Sequence, residues 1–145
     1  MLGDSDSAND IAQDSFVSAY EGLDRFRGTA KFSTWLAAIV LNKCRDRLRT
    51  QKNSVPLDEI SEVIRSPAPD PERIAAARET GEAIQKALSR LSPDDRAAII
   101  LKHLAGLEYE EISAIMGASV AALKVRTHRA RERLREALEQ QGVRP

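Results

Sequence analysis

The sequence predicts an all-α protein built from two small helical domains that a flexible linker joins. Aromatic residues make up only 4% of the 145 residues, and alanine, leucine, isoleucine, arginine and glutamate dominate, as in helical proteins. Apolar residues recur at helical spacing in several segments. Residues 51–72 hold four of the six prolines, among serine and acidic residues, which is typical of a linker. We therefore predict one domain at residues 1–50 and a four-helix, helix-turn-helix domain at residues 73–145.

The net charge of zero hides a segregation of charge along the chain. Residues 1–24 contain six acidic and no basic residues, whereas residues 25–52 contain eight basic residues and one Asp. Residues 56–82 carry seven acids against three Arg, and residues 124–135 carry six bases against one Glu. Two basic blocks separated by acidic ones predict two contacts with nucleic acid.

Cysteine usage and hydropathy predict a cytoplasmic protein. Cys44 is the only cysteine, which excludes an internal disulfide, and its place on a largely apolar helix predicts a small core residue. No apolar run approaches the roughly 18–20 residues that a membrane-spanning helix needs. The N-terminus also lacks the basic segment followed by an apolar one that marks a secretory signal.

Two helices and a basic loop make up the predicted N-terminal domain. Residues 8–23 have an apolar half and an acidic half, so they predict an amphipathic helix. Residues 24–32 combine two Phe, two Arg, a Lys and a Gly, a mixture that can stack bases and hold the phosphates of a single strand; the two Phe fit a role in the core equally well. Ser33 is predicted to cap a helix that runs to about Thr50. The predicted buried half of the first helix comprises Ile11, Ala12, Phe16, Ala19, Tyr20 and Leu23.

The C-terminal domain begins with two further predicted helices. The first runs over residues 72–90. Ser92 and Pro93 mark the start of the second, as its cap and its first-turn proline, and this helix is expected to stop at Gly106. The predicted buried side of the first helix comprises Ile74, Ala77, Ile84 and Leu88.

Residues 106–135 predict a short helix, a tight turn and a basic helix. Gly117 stands where a left-handed C-terminal cap needs a residue without a β-carbon, and Ser119 can cap the next helix. A helix that is packed on one side and basic on the other fits a DNA major groove. Its predicted buried stripe comprises Val120, Leu123, Thr127, Ala130, Leu134 and Leu138. Its predicted outward face comprises Val125, His128, Arg129 and Glu132.

Other interpretations of this segment are weaker. The basic helix alone could be a solvated surface helix, but the preceding short helix and glycine turn favour a helix-turn-helix. His128 and Glu132 lie one turn apart without a third ligand near them in sequence, so we predict no metal site. The chain has no nucleophile–base pair and no glycine-rich phosphate loop, so we predict neither an enzyme nor a cofactor.

The motifs, in their order, resemble the sigma factors of bacterial RNA polymerase, in particular the extracytoplasmic-function (ECF) branch. The resemblance covers nearly the whole chain, and two separate motif sets in the right order make it specific. The segments that resemble region 2 of the family are Asp10-Ile11-Ala12-Gln13-Asp14-Ser15-Phe16, Phe26-Arg27-Gly28, Phe32-Ser33-Thr34-Trp35-Leu36 and Asn42. Asp70-Pro71-Glu72 resembles the end of the family's linker. The segments that resemble region 4 are Leu91-Ser92-Pro93, Gly106-Leu107, Tyr109-Glu110-Glu111-Ile112 and the run from Lys124 to Arg131.

The resemblance implies a transcription initiation factor whose region 2 reads and opens the promoter's −10 element and whose region 4 reads the −35 element. Its partners would be promoter DNA, the clamp helices and flap of core RNA polymerase, and an anti-sigma factor. Residues that would face the clamp helices are Asp10, Gln13 and Asp14. Residues that would lie around the melted −10 strand are Phe26, Arg27, Gly28, Lys31, Phe32, Thr34, Trp35 and Asn42. Residues that would meet the −35 duplex are Lys102, Tyr109, Glu110, Lys124, Val125, Arg126, His128, Arg129 and Arg131.

Two departures from the family pattern leave rival functions open. Val125 stands where the family often has a small polar residue, so the −35 sequence is not predicted. The family has at least one further helix before the point that residues 1–4 resemble, so we expect the first part of region 2 to be lacking. A sigma-like decoy that occupies an anti-sigma factor or polymerase fits that expectation. A LuxR-type activator has a four-helix pattern close to residues 91–138, but it leaves the Phe-Arg-Gly and Trp segments unexplained.

Overall fold

The structure of the chain is a computed structural model that describes residues 1–51 and 71–143, with the side chains of residues 71–77 left aside. The described residues form six α-helices and no strand, which confirms the all-α prediction. Residues 52–70 of the predicted linker lie outside the described residues; Gln51 ends one helix and Pro71 begins the next. The six helices are α1 (Ser5–Gly22), α2 (Phe32–Gln51), α3 (Pro71–Ser89), α4 (Pro93–Ile99), α5 (Tyr109–Met116) and α6 (Val120–Glu139).

The first helix, α1, packs along α2 and begins earlier than predicted. Asp4 caps it, because its side-chain oxygen accepts the Ser7 N–H at 2.6 Å. The predicted buried half is only partly right. Ala19 is buried, but Phe16 is 65% and Tyr20 82% exposed. The apolar half of α1 is wider than the strip that α2 covers, so these two side chains remain outside the contact.

The second helix, α2, starts one residue before the predicted cap at Ser33. The Trp35 N–H already donates to the Lys31 carbonyl at 3.1 Å, so the first turn closes ahead of Ser33 and that predicted cap is wrong. Residues 35–40 are all half-buried, as expected for a segment that is apolar on several sides. Cys44 is buried, as predicted, and its burial raises the pKa of its thiol.

Three predicted caps of the C-terminal helices are confirmed, at Ser92, Gly117 and Ser119. The Ser92 hydroxyl accepts the Asp95 N–H at 3.2 Å, with Pro93 at the first helical position. Gly117 adopts φ 68° and ends α5, and the Ser119 hydroxyl accepts the Ala122 N–H at 3.2 Å. A π-helical turn, residues 100–104, extends α4.

The third helix, α3, packs on α6, and its predicted buried side is only partly right. The side chains of Ile74 and Ala77 lie outside the described part of the chain. Ala87 is fully buried and Leu88 is half-buried, but Ile84 is 40% exposed, so its predicted burial is wrong. Three residues fall short of a full helical turn, so Ile84 lies about 60° around the helix from Ala87 and at the edge of the contact face. None of the described helices is long and apolar enough to cross a lipid bilayer.

One buried cluster joins the two halves of the molecule. Leu41 of α2 packs with Leu101, Leu107, Ile112 and Leu123 of the C-terminal half, and each of them is at most 6% exposed. The helices α2 and α5 lie in direct contact as a result. The two domains therefore share part of their core in this arrangement.

Candidate nucleic-acid interface

Two local devices hold α5 and α6 in a fixed relation. The Glu111 carboxylate accepts the Glu108 N–H at 2.8 Å, which caps the start of α5. The Ser113 hydroxyl donates to the Ala118 carbonyl at 2.7 Å, across the turn that Gly117 makes possible. The turn between the two helices is therefore short and hydrogen-bonded, as a helix-turn-helix requires.

The faces of α6 are oriented as the spacing predicted. Leu123, Thr127 and Ala130 are at most 3% exposed, so the buried stripe anchors the helix on the domain. Val125 is 50% exposed, and His128 and Arg129 are exposed as well. The face opposite the buried stripe is thus available to a ligand outside the domain.

The basic side chains of α6 divide into paired and unpaired groups. Arg126 lies 3.2 Å from Asp94, and Arg133 lies 3.2 Å from Asp95, so both hold α6 against the start of α4. These carboxylates also suit the N-terminus of α4, where the helix dipole favours negative charge. The structure therefore places Arg126 in an internal contact, and its predicted contact with DNA stays a prediction.

The unpaired group comprises Arg129 and Arg131. Within the part of the chain that the structure describes, Arg129 and Arg131 make no hydrogen bond or ion pair, and both are exposed. Two residues apart, they lie about 160° from each other around the helix, so they are on different sides of it. Uncompensated guanidinium groups at these positions are suited to bind phosphates and base edges. Sequence spacing alone did not separate them from Arg126.

A second basic cluster brings together residues from three elements. The ammonium groups of Lys102 and Lys124 lie 5.0 and 5.8 Å from the centre of the Tyr109 ring, within the range of cation–π attraction. Lys102 also pairs with Glu108 at 3.0 Å. Glu110 is exposed in the first turn of α5, beside this cluster. The structure therefore gathers these predicted −35 residues at one end of the α5–α6 pair.

Three aromatic rings form a cluster at the junction of the basic loop and α2. The ring centre of Phe26 lies 5.8 Å from that of Phe32 and 5.1 Å from that of Trp35, and Phe32 lies 5.6 Å from Trp35. Phe32 is 47% exposed, whereas Phe26 and Trp35 are half-buried. The cluster therefore packs internally and still presents an aromatic surface. The packing agrees with a role in the core, and stacking on bases stays a prediction.

Gly22 supports this cluster, and sequence reasoning missed it. A β-carbon at Gly22 would stand 3.2 Å from the Trp35 ring, closer than ordinary packing allows. Its φ is −91°, so the glycine serves close approach rather than a special backbone conformation. Gly28 differs, because it adopts φ +68° and a β-carbon there would meet no atom within 4 Å. A glycine at the end of a helix before an aromatic loop was the only signal in the sequence.

The remaining predicted −10 residues fall into an open and an occupied group. Arg27 and Gly28 are exposed in the loop, and Asn42 is exposed on α2 two turns after Trp35. Thr34, in contrast, is only 4% exposed. The structure thus leaves most of the predicted strand-binding surface open, but not all of it.

Glu111 of the C-terminal domain occupies the rest of that surface. The Thr34 hydroxyl donates to Glu111 Oε1 at 2.9 Å, and Lys31 Nζ lies 3.4 Å from the same oxygen. The Glu108 N–H, and after it the Thr34 hydroxyl, hold the pKa of the Glu111 carboxyl below its usual value. Glu111 is 77 residues from Thr34 in sequence, so no local pattern could have indicated this contact.

The three residues expected to face polymerase share one side of α1. Asp10, Gln13 and Asp14 are all exposed at helical spacing. None of the three pairs with another residue among those the structure describes. An acidic face without internal partners is suited to a basic protein surface.

The fold and these sites define an all-α, two-domain DNA-binding protein, with a helix-turn-helix in one domain and an aromatic, basic loop in the other. Models of two protein families match the chain: sigma-70 region 2 over residues 1–54 and sigma-70 region 4 over residues 81–134. The chain is 34% identical over 132 residues to the ECF RNA polymerase sigma-E factor of Salmonella typhimurium (strain LT2), covering 85% of this chain and 69% of the relative. It is 35% identical over 148 residues to the ECF RNA polymerase sigma factor SigW of Bacillus subtilis (strain 168), covering 95% and 79%.

Solved structures are similar over both domains. The sigma factor RpoE in complex with the anti-sigma factor NepR from Bartonella quintana matches with a TM-score of 0.75 and 29% identity, over 94% of this chain and 84% of that one. CnrH in complex with the cytosolic domain of CnrY matches with a TM-score of 0.68 and 29% identity, over 96% and 76%. The chain belongs to the ECF family of RNA polymerase sigma factors, which are transcription initiation factors. The LuxR-type activator is thereby set aside.

Proposed function

We propose that this chain directs core RNA polymerase to promoters, with its N-terminal domain reading and opening the −10 element and its C-terminal domain reading the −35 element. The observation that carries the proposal is the outward face of α6, where Val125, His128 and Arg129 are exposed opposite a buried stripe. A helix held in this way can enter a major groove and present these side chains to base edges.

On the C-terminal domain, the position around α6 assigns different tasks to the basic residues. Arg129 lies near the centre of the outward face, where a guanidinium can pair with a guanine through two hydrogen bonds. Lys124 and Arg131 lie on one flank of the helix and are suited to the phosphates on that side of the groove. The cluster of Lys102 and Tyr109 extends the positive surface beyond the end of α6.

On the N-terminal domain, the aromatic cluster is suited to a melted strand. A base must leave the duplex stack before a protein can read its edges, and an exposed aromatic ring replaces part of the lost stacking. Phe32 is the most exposed of the three rings, and Arg27 and Lys31 flank it in the loop. Together they supply stacking and phosphate binding, without which the separated strands would close again.

The partners follow from the remaining surfaces. The acidic face at Asp10, Gln13 and Asp14 is proposed to bind the clamp helices of the largest polymerase subunit. The solved RpoE structure is a complex with an anti-sigma factor, which supports an anti-sigma factor as a partner of this chain too.

Run-off transcription with core polymerase tests the proposal. The templates are an ECF-type promoter, the same promoter with a scrambled −35 or −10 element, and a version with the −10 region already unpaired. We expect transcripts that depend on both elements. On the template with the unpaired −10 region, transcription should no longer require that the chain open the duplex. Binding to core polymerase without transcripts from any template would favour the sigma-like decoy instead.

A further inference from the structure

One stripe of α2 faces the C-terminal domain. Its members recur every three or four residues, which places them on one side of the helix. The stripe is polar at both ends and apolar in the middle. It comprises Thr34, Ala37, Leu41 and Arg45 of α2, together with Lys31 directly before the helix.

At the N-terminal end of the stripe, the carboxylate of Glu111 contacts two residues that are predicted to bind DNA, Thr34 and Lys31. Glu111 Oε1 accepts from Thr34 at 2.9 Å and lies 3.4 Å from Lys31 Nζ, while its other oxygen accepts the Glu108 N–H at 2.8 Å. A hydroxyl and an ammonium converging on one anionic oxygen also describes a common contact with a DNA phosphate. The carboxylate thus presents the same chemistry to region 2 as a strand of DNA does.

At the other end, Asp94 binds both domains at once. Its Oδ1 lies 3.1 Å from Arg45 of α2, and its Oδ2 lies 3.2 Å from Arg126 of α6. Asp95, the next residue, lies near Arg126 and Arg133 only, both within the C-terminal domain. The neighbouring carboxylates therefore differ in one respect, the contact across the two domains.

Between the two ends, Leu41 and Ala37 pack against the apolar cluster around Leu101 and Ile112. Leu41 is 4% exposed. The contact between the domains therefore combines apolar burial with polar groups that are specific for this arrangement.

With the domains in contact, the two DNA-binding surfaces lie too close together to span the distance between the −10 and −35 elements. The −10 and −35 elements lie about 25 base pairs apart, which is about 85 Å of duplex at about 3.4 Å per base pair. A compact chain of 145 residues has a radius of gyration of only about 15 Å. With α2 and α5 in contact, the two DNA-binding surfaces therefore cannot reach both elements of a straight promoter.

We propose that this arrangement is a self-occluded state, in which Glu111 takes the place of a −10-strand phosphate on Lys31 and Thr34. The inference rests on the proposed −10 function of the N-terminal domain. Phe32 and Asn42 stay exposed in this state, so a −10 strand still meets part of its site. The strand must displace Glu111 to gain the rest, and promoter binding is thereby coupled to separation of the domains.

The test measures the distance between the domains and the binding of a strand in the same full-length chain. Spin labels at Glu21→Cys of α1 and Glu136→Cys of α6 occupy exposed positions, whereas the native Cys44 is buried. The opening variant combines Asp94→Asn with Glu111→Gln, which removes both charges but keeps a side-chain oxygen for the Glu108 N–H. Asp95→Asn is the matched control, because its pairs lie within one domain.

We expect one short distance in the parent and in Asp95→Asn, and a longer, broader distribution in the opening variant. Apparent affinity scales with the fraction of binding-competent molecules, so a rise in the open fraction from about one tenth to about one half tightens binding about fivefold. The probe is a fluorescent single-stranded −10 oligonucleotide with a scrambled strand as reference. Arg45→Gln breaks the contact from α2 and replaces the opening variant if that variant fails to fold.

Each result decides a separate point. A parent distribution as broad as that of the opening variant would overturn the closed state. A variant that opens without binding the −10 strand more tightly would overturn the competition by Glu111. If the parent and the variants alike bind the −10 strand no better than the scrambled strand, the proposed −10 function fails and the competition fails with it, while the distances still report the contact between the domains.

Discussion

The two domains bury very different residues. The C-terminal domain encloses large side chains, with Ile112 and Leu123 at 0% exposure. Apart from Leu41, the residues that the N-terminal domain buries are small or polar, and several of its large apolar side chains remain on the surface. Its exposed large apolar residues are Phe16, Val17, Tyr20, Leu23 and Phe32.

The number of helices explains this contrast. A helix must bury its apolar stripe against a neighbour, and four helices can surround a common centre. Two helices have only one shared face, so α1 and α2 leave apolar surface uncovered in the described chain. Exposed apolar patches of this kind mark contact sites for other molecules. The C-terminal domain thus positions a rigid helix, whereas the N-terminal domain leaves apolar surface available to another molecule, for which we propose DNA and polymerase.

A groove of about 250 Å³ lies mainly between α1 and α2 and reaches Ile100 of the C-terminal domain. Phe16 and Ile11 of α1, Leu36 and Val40 of α2, and Ile100 of the π-helical turn line it. Uncovered apolar surface therefore continues from α1 into the boundary between the domains.

The largest effect on stability is expected from a cavity in the core of the C-terminal domain. Ile112→Ala should lower the free energy of unfolding by about 2–5 kcal/mol, because it leaves a cavity among fully buried neighbours. Tyr20→Ala, at an 82% exposed position, should change it by no more than about 0.5 kcal/mol. Urea denaturation followed by circular dichroism measures both. Equal losses would show that the contrast between the domains is wrong.

Trp35 tests whether the N-terminal domain has a core of its own. A buried Trp→Ala change costs about 3–5 kcal/mol, and because Trp35 is half-buried we expect a loss of about 2–3 kcal/mol. Promoter opening, followed with permanganate on a duplex template, should also fail. If Trp35→Ala unfolds no more easily than the parent and opens promoters equally well, both roles of the ring are refuted. A defect in folding alone, with opening intact in the folded fraction, would leave only the packing role.

Arg129 tests whether the rigid helix reads bases. Arg129→Ala should lose about 1–3 kcal/mol of preference for its −35 duplex over a scrambled duplex. Arg131→Ala should weaken binding to both duplexes alike and reduce the salt dependence by about one unit, as a phosphate contact does. A salt titration of the full chain on both duplexes separates these effects. Identical behaviour of the two variants would mean that α6 does not enter the groove in this orientation.

The smallest effect is expected at Gly22. A methyl group there would stand 3.2 Å from the Trp35 ring, and the shift that this forces should cost about 1 kcal/mol and change the fluorescence of this single tryptophan. Gly28→Ala should cost about 1 kcal/mol through its positive φ, but its added methyl meets no atom within 4 Å. Its tryptophan emission should therefore match that of the parent. A change of emission in both variants would count against a specific contact between Gly22 and Trp35.

The sequence by itself determined the elements whose cause is local. Helix caps depend on hydrogen bonds within a few residues, so Ser92, Gly117 and Ser119 marked the helix ends correctly. The face of α6 followed from its apolar period, because the buried side of a well-patterned helix is the same against almost any neighbour. The motif sets of regions 2 and 4 also lay within reach, since each is contiguous or nearly so.

Only the tertiary structure decided which surfaces meet and how much of each is covered. Phe16 and Tyr20 are exposed because few helices surround α1. The amphipathic pattern of α1 does not indicate how many helices pack against it. The pairing of Arg126 with Asp94 and the contact of Thr34 with Glu111 join residues far apart in the chain. Such contacts follow from the relative placement of whole helices, and side-chain spacing within one helix carries no information about that placement.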